Sequence, residues 1–169
     1  MKVAHVVHLY PPEFRGGTEA VVQQITAAQR ARGDEPFVIA GSDERVPGGE
    51  LRLDAVDHVP VCRVLRDPAE NYSVAHSCPR VVAAVLELLA NEAPEIVHLH
   101  HSMTLSGDLA AAMAAAGHVV VASLHDYTTV CARSFLTRPD GSSCAQAFPL
   151  PAARCVECVL PDFPAGRAQ

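Results

Sequence analysis

The chain has 169 residues, of which 49% are hydrophobic and 19% are charged, and its formal net charge is −6. This composition is typical of one soluble globular domain, or of a domain with a tail, and an acidic chain without a basic cluster argues against a nucleic-acid partner. No apolar run reaches the ~18 residues needed to cross a membrane, and no secretion signal is visible, so we expect a cytoplasmic protein.

The first predicted elements are a buried strand at residues 3–7 and an amphipathic helix at residues 20–32. The loop between them contains Gly16 and Gly17. Glycines let the backbone approach a ligand closely, and a helix start offers unpaired N–H groups with a partial positive charge. This loop therefore predicts a site for a phosphate-bearing ligand. We expect Thr18 to be the N-cap of the helix and Gly33 to end it.

Further along the chain, strands and helices alternate. The predicted elements are a strand at 36–40, a surface loop over 43–54, an edge strand at 56–64 interrupted by Pro60, a helix beginning at Pro79, and then a strand at 95–100, a helix at 110–116 and a strand at 119–124. The order predicts a doubly wound, Rossmann-like α/β domain with a parallel sheet over residues 1–127. Residues 128–169 lack this pattern and form a second, irregular segment rich in Cys and Pro.

Ligands of doubly wound sheets bind beyond the carboxyl ends of the strands. Polar side chains follow three of the predicted strands there: His8, then His98, His100 and His101, then His125 and Asp126. Three such strand ends predict a site at one edge of the sheet.

Strand alternation places His98 and His100 on one face, with His101 at the exit of the strand. A metal ion is one candidate ligand, because imidazole is a common metal ligand. We favour contact between His100 or His101 and an organic ligand, and interpret His98 and His5 as packed core histidines. His125 is suited to bind a hydroxyl or to polarise a reacting centre, and Asp126 either orients it or is a turn residue.

Four of the six cysteines are clustered near the end of the chain. Two of them form a Cys-x2-Cys pair, and the gaps before it permit a four-sulfur site for structural zinc or an iron–sulfur cluster. Free or disulfide-paired thiols and a redox pair remain alternatives. The four residues are Cys131, Cys144, Cys155 and Cys158, whereas Cys62 and Cys78 look like ordinary buried or loop cysteines.

Four segments, in this order and spacing, resemble the N-terminal half of family 4 glycosyltransferases, which have the two-domain GT-B fold. They are residues 6–12 running into 16–19, Gly33 followed by 36–40, residues 95–100, and residues 120–127 followed by the four clustered cysteines. The resemblance covers roughly residues 1–158.

The resemblance implies a retaining enzyme that transfers a hexose from a nucleotide-sugar to a hydroxyl of a glycan, a lipid-linked sugar or a small metabolite, with no cofactor required for catalysis. A lipid-linked acceptor would bring the protein to the inner face of the membrane. The family's N-terminal domain mostly binds the acceptor, and its C-terminal domain mostly binds the nucleotide. Because 169 residues cannot hold both, we expect a chain truncated before the donor-binding domain and inactive by itself.

The resemblance also implies roles for single residues. Gly16 and Gly17 would lie against the donor phosphates, and His125 would face the donor sugar as the catalytic residue. Arg15 would add a positive charge beside the diphosphate, since a guanidinium matches phosphate geometry. The expected acceptor contacts are Glu19, His100, His101 and Asp126.

Two alternatives fall outside this family. One is a stand-alone module that binds a phosphorylated ligand or a protein without chemistry. The other is a zinc- or iron-binding regulatory protein in which the cysteines are the functional centre.

Overall fold

A computed structural model describes residues 1–70, 77–131, 133–144 and 152–159. The chain forms two compact units, Met1–Ser123 and Leu124–Gln169. The division lies a few residues before the predicted one after Tyr127. Among the described residues, no helix is both long and apolar enough to span a bilayer.

The first unit is a six-stranded sheet with helices packed against it. Its strands are β1 (Lys2–Val7), β2 (Glu35–Arg45), β3 (Glu50–Val56), β4 (Val59–Arg66), β5 (Ile96–Leu99) and β6 (Val120–Ala122), and its helices are α1 (Gly17–Ala31), α2 (Pro79–Glu92) and α3 (Leu109–Ala115). The strand order is β3-β4-β2-β1-β5-β6, and every neighbouring pair is parallel except β3 and β4. The predicted Rossmann-like α/β fold is confirmed.

Two apolar clusters cover the central strands. Successive residues of a strand point to opposite faces, and β1 accordingly gives Ala4 and Val6 to one cluster and Val7 to the other. The first cluster includes Leu89 of α2 and Met113 of α3, and the second includes Val22 of α1 together with Val38, Ala40, Val59 and Val61. Burial on both faces explains the apolar run of β2 and that of β1, which is interrupted only by the buried His5.

The surface loop predicted over residues 43–54 is wrong. The chain continues as β2 to Arg45 and returns as β3, which pairs antiparallel with β4. Strand β3 does carry an apolar alternation, at Leu51, Leu53 and Ala55, but its charged residues and the preceding Gly48 and Gly49 are typical of a loop, and the strand is almost entirely exposed. Since β3 takes the outer position, β4 is an interior strand rather than the predicted edge strand.

Helix α1 begins one turn earlier than its apolar pattern suggested. Gly16 is the N-cap and makes no side-chain cap, so the predicted N-cap role of Thr18 is wrong. The Gly16 carbonyl accepts the first helical hydrogen bond, from the Ala20 N–H at 3.1 Å. Gly33 follows the helix with a φ of 83°, which confirms the predicted end. Pro79 occupies the first turn of α2, as expected.

The second unit contains α4 (Ala152–Val159) and an isolated antiparallel bridge between Thr137 and Ser143, among its described residues.

Candidate functional site

The loop between β1 and α1 lies at the carboxyl end of β1, where doubly wound sheets bind ligands. Arg15 and Gly17 are exposed and Gly16 is partly exposed. The base of the loop is fixed from β4, because the buried Arg63 guanidinium donates to the carbonyl oxygens of Tyr10 at 3.1 Å and Pro11 at 2.5 Å. The predicted phosphate-binding residues therefore face solvent on an anchored loop.

Glu19 lies beneath this loop, in the first turn of α1, and only 1% of its surface is exposed. One carboxylate oxygen, Oε1, lies 3.2 Å from Nε2 of His8. The positive end of the helix dipole also stabilises a carboxylate at this position. Glu19 is therefore a buried residue of the site, and its contact with an acceptor stays a prediction.

The end of β5 meets the end of β1. The His100 N–H donates to the Val6 carbonyl at 2.8 Å, and the rings of His8 and His101 are 4.7 Å apart. The Thr104 hydroxyl donates to the carbonyl of His8. Thus His8, Glu19 and His101 form one cluster at this edge of the sheet. It offers imidazole and carboxylate groups suited to hydroxyl ligands.

His100 points away from this cluster, into a buried row of polar side chains. Its Nε2 lies 3.1 Å from Nδ1 of His5, whose Nε2 lies 2.8 Å from Oε1 of Gln29. Burial lowers the pKa of His5 to about 4. Both ring nitrogens of His5 are thus hydrogen-bonded, which confirms its interpretation as a core histidine.

His98 lies opposite His5 on the neighbouring strand. The ring nitrogens of His5, His98 and His100 include three atoms within 4.8 Å of one another, a spacing that a metal ion could bridge. His98 Nε2 lies 2.8 Å from the Ser123 hydroxyl. Because hydrogen bonds within the fold already engage this cluster, we interpret it as a polar core network.

His125 and Asp126 belong to the second unit. Asp126 Oδ1 accepts hydrogen bonds from the backbone N–H of Thr128 at 2.8 Å and from its hydroxyl at 2.5 Å, which is the geometry of a turn residue. Their roles toward donor sugar and acceptor stay predictions. The four clustered cysteines lie in the same unit as free thiols.

Sequence reasoning missed two residues that shape the site. Arg63 follows an apolar run and carries no motif, yet it holds the loop. Gly41 lies in β2, where a Cβ would collide with the His8 carbonyl and with Thr104. Only the packing of β1 beside β2, and of β2 beside β4, reveals either role.

Alanine substitutions at the two adjacent glycines of the loop are expected to change the free energy of unfolding in opposite directions. A Cβ at Gly16 would lie 2.7 Å from Glu19 Oε2 and 2.9 Å from the Phe14 ring, whereas a Cβ at Gly17 meets nothing within 4 Å. We expect G16A to lower the free energy of unfolding by about 1–2 kcal/mol through overpacking. G17A should raise it by up to about 0.5 kcal/mol, since alanine favours a helix. Urea denaturation at pH 7 measures both, and equal effects would contradict the geometry.

Comparisons with known proteins find matches over most of the chain. The family described as Glycosyltransferase Family 4 matches residues 15–156. Among solved structures, the chain is similar to sucrose-phosphate synthase from Thermosynechococcus elongatus, with 14% identity and a TM-score of 0.54 over 77% of this chain and 34% of that one. It is also similar to the catalytic domain of starch synthase IV from Arabidopsis thaliana bound to ADP and acarbose, with 18% identity and a TM-score of 0.49 over 75% and 34%. A comparison with curated proteins finds no match. The chain thus spans about a third of the length of these solved structures.

Proposed function

The chain belongs to glycosyltransferase family 4, and from this membership we propose that it is the acceptor-binding N-terminal domain of a retaining glycosyltransferase. The enzyme would move a sugar from a nucleotide-sugar to a hydroxyl of a glycan, a lipid-linked sugar or a small metabolite. The observation that carries the proposal is the family match over residues 15–156, which begins at the exposed loop on the carboxyl edge of the sheet. A second domain that binds the nucleotide is part of the proposal.

The donor diphosphate would approach this loop from the solvent side. Arg15 and Gly17 are exposed there, at the N-terminus of α1, while the inner side of the same turn is occupied by the carboxylate of Glu19. A guanidinium and unpaired helix N–H groups stabilise the charge that develops on a leaving diphosphate without a metal ion. Gly16 contributes by leaving room for Glu19 at the base of the turn.

The acceptor would bind beside the donor, at the ends of β1 and β5. His101 is partly exposed, and its ring lies against that of His8, which contacts Glu19. His100 is 4% exposed, so we assign it a positioning role and give His101 the direct hydroxyl contact. The predicted role of His125 toward the donor sugar and that of Asp126 toward the acceptor are also part of the proposal. A lipid-linked acceptor would bring the enzyme to the inner face of the membrane.

The test uses the protein encoded by the whole open reading frame that contains this chain. Nucleoside diphosphate release is measured with UDP-, GDP- and ADP-hexoses, each with and without a panel of sugar acceptors. We expect acceptor-dependent release with one donor class. We expect H125A to lower kcat by about 100-fold or more, the range for losing a group that acts on the reacting centre. The matched control is H118A, a partly exposed histidine between α3 and β6, which should retain activity.

Binding of a nucleotide-sugar without release under any acceptor condition would favour the stand-alone binding module and reject the transferase. Residues 1–169 alone should bind an acceptor but give no transfer, since the proposed nucleotide-binding domain lies outside them. Transfer by residues 1–169 alone would overturn the assigned domain role.

A further inference from the structure

The four clustered cysteines line a single cavity of the second unit. This cavity has a volume of about 380 Å³, and Cys131, Cys144, Cys155 and Cys158 all contribute to its wall. None of the family's proposed chemistry uses these residues. All four are free thiols of intermediate exposure. A shared cavity is a stronger observation than their spacing along the sequence, because it places four metal-ligating atoms around one space.

Three local structures bring the cysteines to this cavity. Cys131 ends a turn in which its N–H donates to the Tyr127 carbonyl at 2.7 Å. The bridge between Thr137 and Ser143 folds the chain back, and the Cys144 N–H donates to the Leu136 carbonyl at 2.7 Å.

Helix α4 then presents the remaining two cysteines. Cys155 and Cys158 are three residues apart, which places them on one face of a helix. The paired spacing is therefore realised as two neighbouring sulfurs that face the same cavity.

The charges around the cavity match an anionic centre. Its wall contains three arginines, Arg133, Arg138 and Arg154, and one acid, Glu157, for a net charge of +2. Four thiolates with one divalent ion carry a net charge of −2, so the two charges cancel.

Among the described residues of the second unit, several large apolar side chains are exposed rather than packed. Phe135 is 74% exposed and Val156 is 52% exposed, and Tyr127 and Val130 are also exposed. A segment with so few buried side chains needs another source of stability, which small folds obtain from a metal ion or disulfides.

We propose that Cys131, Cys144, Cys155 and Cys158 together hold a metal centre through four thiolates. The bound species is a zinc ion or an iron–sulfur cluster, the two centres that four cysteines commonly bind. The centre orders the second unit, and it does not depend on the proposed transfer reaction.

The distances between the four sulfurs bear on whether the bound species is a zinc ion or an iron–sulfur cluster. Tetrahedral zinc with bonds of about 2.3 Å places its four sulfurs ~3.8 Å apart. Among the described residues, the only set of three ligating atoms within 4.8 Å of one another is the histidine cluster, so no three of the four sulfurs lie that close together. A cluster of several irons spans this spacing, whereas a single zinc ion would draw the sulfurs together.

The experiment analyses the full chain, expressed without a metal-binding tag and purified without oxygen or chelators. Zinc and iron are measured by elemental analysis, acid-labile sulfide by colorimetry, and the visible spectrum is recorded. About one zinc per chain, or iron with matching sulfide and a visible absorption band, supports the centre and identifies the bound species. If the protein contains neither zinc nor iron after expression with both metals supplied, the proposed metal centre is overturned.

Alanine variants assign the ligands. C144A, C155A and C158A should each lower the bound metal at least several-fold, whereas C62A, which changes a cysteine of β4 in the other unit, should retain it. Should the ligand variants fail to fold, cobalt is titrated into metal-free wild-type protein instead. Intense thiolate-to-cobalt charge-transfer bands support a four-thiolate site, and their absence rejects it.

Discussion

Replacing Arg63 by methionine is expected to lower the free energy of unfolding by about 3 kcal/mol. The guanidinium is buried and donates to the carbonyls of Tyr10 and Pro11, while its Nε and Nη2 both lie 3.0 Å from Asp54 Oδ2 and its Nε lies 3.5 Å from Glu13. Methionine keeps much of the apolar stem but leaves two buried acceptors without a donor, and each such acceptor costs about 1–3 kcal/mol. Because Asp54 is 39% exposed, water replaces part of that ion pair and limits the loss.

Urea denaturation at pH 7 measures the effect of R63M, with R52M as the matched control. Arg52 lies directly opposite Arg63 on β3 and pairs with Glu44 and Glu50, but its side chain is 42% exposed. R52M should change stability little, because exposed ion pairs are screened by water and salt. Similar losses in the two variants would show that Arg63 acts only as a surface charge and does not anchor the loop.

Sequence predicted well the strands that are buried on both faces and the helix ends that are set by a residue's own backbone conformation. Strand β1 is apolar except at His5 because helices cover both faces. Gly33 marks the end of α1 because its backbone adopts a positive φ. Because the sequence predicted both β1 and α1, it also predicted that the glycine loop between them lies at the carboxyl edge of the sheet.

The elements that sequence missed depend on contacts between distant segments. Strand β3 is an exception, because it pairs with β4 across the short turn at Asp57 and His58, and its alternating Leu51 and Leu53 were outweighed by the charged residues between them. Thr18 has the chemistry of an N-cap, but Gly16 takes that position, where a side chain would collide with Glu19. The buried state of Glu19 likewise follows from its neighbour His8, which lies eleven residues earlier in the sequence.

The stability of the first unit should fall as the pH decreases from 6.5 toward 4, and His5 should account for much of that fall. Burial is the largest cause of its lowered pKa, and the charge of His98 adds to it. The folded pKa is about 4 against 6.5 for the unfolded chain, so the unfolded state binds more protons in this interval. The stabilisation is therefore fully present above pH 6.5 and is lost on acidification. Between pH 7.5 and pH 5 we expect a loss of about 2 kcal/mol from this group.

The hydrogen bonds of His5 explain why a proton is excluded. Oε1 of Gln29 is an acceptor, so Nε2 of His5 carries the hydrogen, and in the neutral ring Nδ1 then accepts from Nε2–H of His100. A second proton on His5 would place two donors 3.1 Å apart in a buried site. Protonation of His5 therefore requires His100 to shift its own hydrogen from Nε2 to Nδ1, or one hydrogen bond of the row is lost.

Measuring unfolding by urea at several pH values in wild type and H5N isolates this contribution as the difference between the two curves. Asparagine has no titratable group, so H5N should lose most of the fall between pH 7.5 and pH 5, even where its stability at neutral pH is lower. The control H58N makes the same substitution at an exposed turn residue with a φ of 64°, a conformation that asparagine tolerates, and it should keep the wild-type slope. A slope unchanged in H5N would mean that His5 gains its proton without breaking the buried row, and that the row is solvated in the folded protein.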